Sequence, residues 1–127
     1  MSTLIDQEAQ RPWGYYEVLL DTPYTKVKEI TVEPGHRLSY QSHKHREEYW
    51  TCVSGELTVI LDDKELLIPY GHSIHIPLGA KHRMWNKEEK DVLKVVEVQV
   101  GEDRGPGLCA RAEAVSVHAL DFEGGPA

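Results

Sequence analysis

The sequence predicts an all-β chain, folded as a sandwich or a closed barrel, on three observations. Helical periodicity is scarce. Short runs rich in Val, Ile, Tyr and Thr recur along the chain, and Gly, Pro or Asp interrupts them about every ten residues.

In chain order, Trp13–Leu20 and Lys26–Glu33 read as the first two strands, closed by the turn Pro34-Gly35. Leu38–His43 and Glu48–Val53 follow, and Ser54-Gly55 ends the second of them. Glu56–Leu61 and Glu65–Ile68 are joined by Asp62-Asp63, which reads as a tight hairpin. Tyr70-Gly71 and Pro77-Leu78-Gly79 bracket Ser73–Ile76, after which come Lys81–Trp85 and Val92–Val100. The barrel core thus covers residues 11–100 of a single domain spanning 1–127. Gly101–Gly107 reads as a loop leaving the barrel, Ala110–Ala114 as a helical turn and Ser116–Leu120 as a last short strand.

Composition narrows the class. With 127 residues, 40% hydrophobic and 28% charged, the chain fills one core. A net charge of −7 argues against nucleic acid or an anionic membrane as partner, while leaving room for a locally positive pocket. Cys52 lies in an apolar run and reads as a core residue, with no disulfide framework around it. Met1–Gln10 is polar and acidic, and no segment approaches the ~20 apolar residues of a membrane span, so a cytoplasmic setting is expected.

The chemistry-bearing residues are grouped. In Gln41-Ser-His43-Lys-His45, alternate side chains of an extended segment share a face, so Gln41, His43 and His45 are expected to point together. Glu48 opens the next apolar run, where an unpaired core-facing carboxylate is costly. His82 comes much later, in Pro77-Leu-Gly-Ala-Lys-His82-Arg-Met-Trp-Asn86. A Gln, two His and a Glu converging in a barrel offer mixed nitrogen and oxygen ligands for a borderline divalent cation.

Two spacings carry a resemblance. Gly35, Gln41, His43, Glu48 and Gly55 follow the first motif of the cupin superfamily, with Gln in place of its first His. Gly71, Pro77, Gly79, His82 and Asn86 follow the second motif without a mismatch. The chain therefore resembles the cupins, which implies a double-stranded β-helix (jelly-roll barrel) and a metal held by Gln41, His43, Glu48 and His82. Gln41 serves such a site through its amide oxygen. Zinc is the first candidate, with Fe, Mn, Ni or Co as others.

A narrower resemblance rests on Arg11-Pro-Trp-Gly-Tyr15, the block Arg37-Leu-Ser-Tyr-Gln-Ser-His-Lys-His-Arg-Glu-Glu-Tyr-Trp50, Val53-Ser-Gly55 and Val96-Glu-Val-Gln99. In this the chain is similar to the C-terminal cupin part of type II mannose-6-phosphate isomerases. The likeness implies interconversion of mannose-6-phosphate and fructose-6-phosphate, or action on a close analogue, and the wider cupin resemblance implies a homodimer. The resemblance does not extend to the guanylyltransferase part to which such domains are often fused, so nucleotide-sugar synthesis is not among the expectations. Departures from the family pattern are Lys44, Glu47 and Tyr49, and the tail beginning Gly101-Glu-Asp-Arg-Gly-Pro-Gly107.

Within that reading His45 is expected as proton shuttle, fifth ligand or structural histidine, with Glu48 as the other candidate shuttle. Arg37 is expected either to clamp a phosphate or to form a surface ion pair. Arg46 and Arg83 are expected to point away from the ligands beside them, and Lys26 and Lys28 to be solvated. Trp50 and Trp85 read as core, and Trp13 as a cover for a barrel opening or a partner surface. Two other function classes stay open: a non-catalytic sugar-binding module and a metal-dependent dioxygenase.

Overall fold

A computed structural model describes residues 10–101, and the expected loop, helical turn and strand beyond them lie outside that span. Nine strands run in order: β1 (Gln10–Arg11), β2 (Gly14–Asp21), β3 (Thr25–Val32), β4 (Arg46–Ser54), β5 (Leu57–Leu61), β6 (Lys64–Ile68), β7 (Ser73–Ile76), β8 (His82–Trp85) and β9 (Leu93–Gly101). All pairings are antiparallel. One sheet has the order β1-β2-β3-β9-β4-β7 and the other β6-β5-β8. No described helix is long and apolar enough to cross a membrane.

Alternation places one face of each sheet inside, and each long inward face changes character along its length. On β9 the buried residues are Leu93 and Val95, then Glu97 and Gln99. On β4 Cys52 and Trp50 precede Glu48 as the strand is read backwards. Register aligns these gradients: Val32 lies opposite Leu93, Lys28 opposite Glu97, and Glu48 opposite Gln99. The barrel is therefore apolar at one end, around Val32, Cys52, Leu57, Val59, Leu93 and Val95, and polar at the other. Leu57, Val59 and Met84 bring the smaller sheet onto the same core.

The Asp62-Asp63 hairpin is present as a two-residue connection between Leu61 and Lys64, both aspartates having positive φ, as a twisted hairpin turn requires. One expected strand is absent. Leu38–His43 instead runs beside β8 through two isolated bridges, Arg37 to Trp85 and Gln41 to His82. Its pairing is too interrupted for a ladder, since only hydrogen bonds such as Leu38 N to Met84 O and Gln41 N to His82 O hold it. Cys52 and Trp50 are core residues as expected, whereas Trp85 is half-buried under the cations of Arg37 and Lys87.

Candidate metal centre

The polar end of the barrel encloses a cavity of about 200 Å³, into which β2, β3, β4, β8, β9 and the 38–43 segment all contribute side chains. Gln41, His43, Glu48 and His82 line it together. The donor atoms of His43, Glu48 and His82 all lie within 4.8 Å of one another. His43 Nε2 is 3.4 Å from Glu48 Oε2, and His82 Nε2 is 3.8 Å from Glu48 Oε1.

Backbone contacts prepare these groups. His82 Nδ1 donates to the Ala80 carbonyl at 2.9 Å, so the Nε2 lone pair is directed at the cavity. Burial also lowers the His82 pKa and keeps the ring neutral. The Gln41 amide nitrogen donates to Ser39 Oγ, which leaves the amide oxygen for another partner. Two imidazole nitrogens, a carboxylate and an amide oxygen are a donor set that fits a borderline divalent cation.

The positive charge now facing Glu48 belongs to Arg46. Its Nε and Nη2 each lie 2.9 Å from Glu48 Oε2, and its Nη2 is 3.0 Å from His43 Nε2. This corrects the expectation that Arg46 points away. The phase of alternation breaks at residues 44–45, which form a bend, so Arg46 shares the inward face with Glu48 rather than lying opposite it. Arg83 also lines the cavity, with its Nε donating to the Leu38 carbonyl.

The same break places His45 in the exposed bend, and it is not among the residues lining the cavity. Arg37 is likewise exposed and outside the lining, its guanidinium 5.0 Å from the Trp85 ring centroid. Lys28, expected in solvent, lines the cavity.

Glu97 and Gln99 complete the polar network. Trp50 Nε1 donates to Glu48 Oε1 at 2.9 Å and to Glu97 Oε2 at 3.1 Å, while Gln99 Nε2 donates to Glu97 Oε1 at 2.8 Å. Burial first, then the neighbouring Glu48 charge, holds the Glu97 carboxyl well above the usual range, so it keeps its proton at neutral pH. Its signal in the sequence was the alternation of Val95, Glu97 and Gln99, which puts two polar side chains on a core-facing register.

Comparison with known proteins agrees with this architecture. Residues 2–113 match the family described as Mannose-6-phosphate isomerase C-terminal. The chain is 43% identical over 108 residues to the alginate biosynthesis protein AlgA of Pseudomonas aeruginosa, covering 85% of this chain and 22% of that protein. It is 41% identical to a mannose-1-phosphate guanylyltransferase of Sinorhizobium fredii, covering 72% of this chain and 18% of that one. The chain thus spans about a fifth of the length of these curated relatives. Among solved structures, the Schizosaccharomyces pombe Cnp3 cupin domain superposes with a TM-score of 0.65 at 12% identity, over 69% of this chain and 64% of that one. KdgF from Halomonas gives 0.64 at 17% identity, over 73% and 84%. These likenesses show the fold, an all-β cupin double-stranded β-helix. By sequence, the chain belongs to the family of mannose-6-phosphate isomerase C-terminal domains.

Proposed function

We propose that the chain is a metal-dependent sugar-phosphate isomerase, interconverting mannose-6-phosphate and fructose-6-phosphate or acting on a close analogue. The observation that carries this reading is the convergence of His43, Glu48 and His82 in one cavity, on a chain of this family. A divalent ion held by these residues and Gln41, zinc first among Fe, Mn, Ni and Co, supplies Lewis-acid polarisation of the sugar's carbonyl and neighbouring hydroxyl oxygens.

The chain's own residues then bind, orient and move protons. Aldose–ketose isomerisation transfers a proton between C1 and C2, which calls for a group inside the cavity. Glu48, the cavity carboxylate, is our candidate for that role, and Glu97, which lines the cavity, keeps its proton and is fixed by Trp50 and Gln99, is placed to donate a proton to a sugar oxygen. His45, in its exposed bend, would act only at the rim, and the same holds for Arg37. Apolar walls from Ile30, Leu38 and Met84 limit water around the reacting carbons. A homodimer in the cytoplasm belongs to the same reading.

The test is a coupled assay of mannose-6-phosphate conversion, with metal content determined on the same sample. Turnover that is lost on chelation and restored by a divalent metal supports the isomerase. Stoichiometric metal without turnover rules it out in favour of a binding module or, if an iron-loaded sample consumes oxygen, an oxygenase.

A further inference from the structure

We infer that Lys28 and Arg11 form an anion-holding end of the cavity, gripping the phosphate of a phosphosugar beside the Tyr16 ring; this rests on the phosphosugar reading above. Both cations line the cavity and converge on one ring: Lys28 Nζ is 4.2 Å and the Arg11 guanidinium carbon 5.4 Å from the Tyr16 centroid. The fold builds this arrangement. Tyr16 on β2 lies opposite Ile30 and Val18 opposite Lys28, so Tyr16 and Lys28 are diagonal neighbours on the inward face, while β1 brings Arg11 against Gly14.

Lys28 is a cavity cation with donors to give. Arg46 is committed to Glu48 and His43, and Arg83 donates to the Leu38 carbonyl and lies over Tyr40. Among the described residues Lys28 makes no direct hydrogen bond or ion pair, although it is half-buried and is attracted by the Glu97 and Glu48 carboxyls at longer range. An ammonium has three donors and no acceptor, and burial already lowers its pKa. A phosphate at that point would restore the hydrogen bonds that folding removed, and Arg11, whose Nη1 donates to the Gln10 carbonyl at 2.8 Å, adds positive charge beside it.

The separation suits a hexose phosphate. Lys28 is paired with Glu97 across β3 and β9, and the next strand carries Glu48. Trp50 is the β4 residue opposite Glu97 and Glu48 lies two residues further along, so the anion-holding and metal-facing backbones are roughly 12 Å apart, two interstrand spacings combined with two residues of rise. A sugar whose phosphate rests on Lys28 thus directs its far carbons toward His43, Glu48 and His82.

The experiment titrates inorganic phosphate, then glucuronate, into the zinc-loaded full chain by calorimetry, for wild type and for Lys28→Met and Lys28→Arg. Lys28→Met is expected to weaken phosphate binding at least roughly tenfold, as loss of a charge-assisted contact does, with Lys28→Arg recovering most of it. Zinc stoichiometry and the circular dichroism spectrum stay at wild-type values, which separates the effect from misfolding. Equal phosphate affinity in wild type and Lys28→Met, no phosphate binding by wild type, or a preference for glucuronate overturns the clamp. If Lys28→Met loses phosphate binding yet wild type converts no hexose phosphate, the clamp stands and the isomerase reading fails.

Discussion

The Arg46 guanidinium is placed on Glu48 by two nitrogens, each 2.9 Å from Glu48 Oε2, and it shares one of them with His43 Nε2. Glu48 is 2% exposed, so this cation is what makes its buried carboxylate tolerable when no metal is bound. Arginine and metal then compete for the same lone pairs. Arg46→Met should destabilise the chelated protein by about 2 kcal/mol, the scale of a charge-assisted hydrogen bond, and should destabilise the zinc-loaded protein far less. Denaturant unfolding with and without zinc measures both. Equal losses in the two states would sink the competition.

Glu47 and His75 form a second buried pair, on the opposite face of β4, with Glu47 Oε1 and His75 Nε2 2.5 Å apart. Burial pushes Glu47 up to about 7 and His75 down to about 4, so the proton sits on the carboxyl. Glu47 stabilises the fold while protonated, and that contribution declines as pH rises from its unfolded value of 4.5 to 7. His75 acts in the other direction, its contribution being complete above 6.5 and lost as pH falls to 4. Between 4.5 and 6.5 the two slopes offset. Glu47→Gln removes one of them, so stability of the variant relative to wild type should rise with pH across that window by up to about 1.4 kcal/mol per unit. Parallel stability curves from pH 4 to 7 would refute this assignment of the proton.

Asn86 is fully buried and works as a three-way tie. Its Nδ2 donates to the Val32 and Asp91 carbonyls, and its Oδ1 accepts from Glu88 N. Asn86→Ala leaves these backbone groups without partners and should cost about 3 kcal/mol. Urea unfolding reads it directly, and a loss below about 1 kcal/mol would mean that water replaces the amide.

Gly55 and Gly71 share a φ of +84° but differ in surroundings. A Cβ at Gly55 would meet the Val92 carbonyl oxygen at 2.7 Å, whereas one at Gly71 meets nothing within 4 Å. Gly71→Ala should therefore cost about 1 kcal/mol from backbone strain alone, and Gly55→Ala should cost clearly more. Thermal melts of the two variants compare them, and equal shifts would show that the β4–β5 corner relaxes around the methyl group.

The all-β class, eight of the nine described strands to within two residues at each end, and the turn at Asp62-Asp63 were legible in the sequence. Those features depend on period-two alternation and on residues that tolerate tight turns, both of which are local. The sequence also named Gln41, His43, Glu48 and His82, because motif spacing records which strand ends meet. Which face each charged side chain takes depends on long-range pairing and could not be read locally. Period-two reasoning carried from Gln41 to His45 holds only while a ladder continues, and the bend at residues 44–45 reset it. That bend put Arg46 inside and left His45 outside. Lys28 and Glu97 looked like ordinary alternating polar residues until the β3–β9 register set them opposite one another at the polar end of the barrel. Register is a long-range pairing, fixed by packing of the apolar halves of these strands, and no local stretch of sequence contains it.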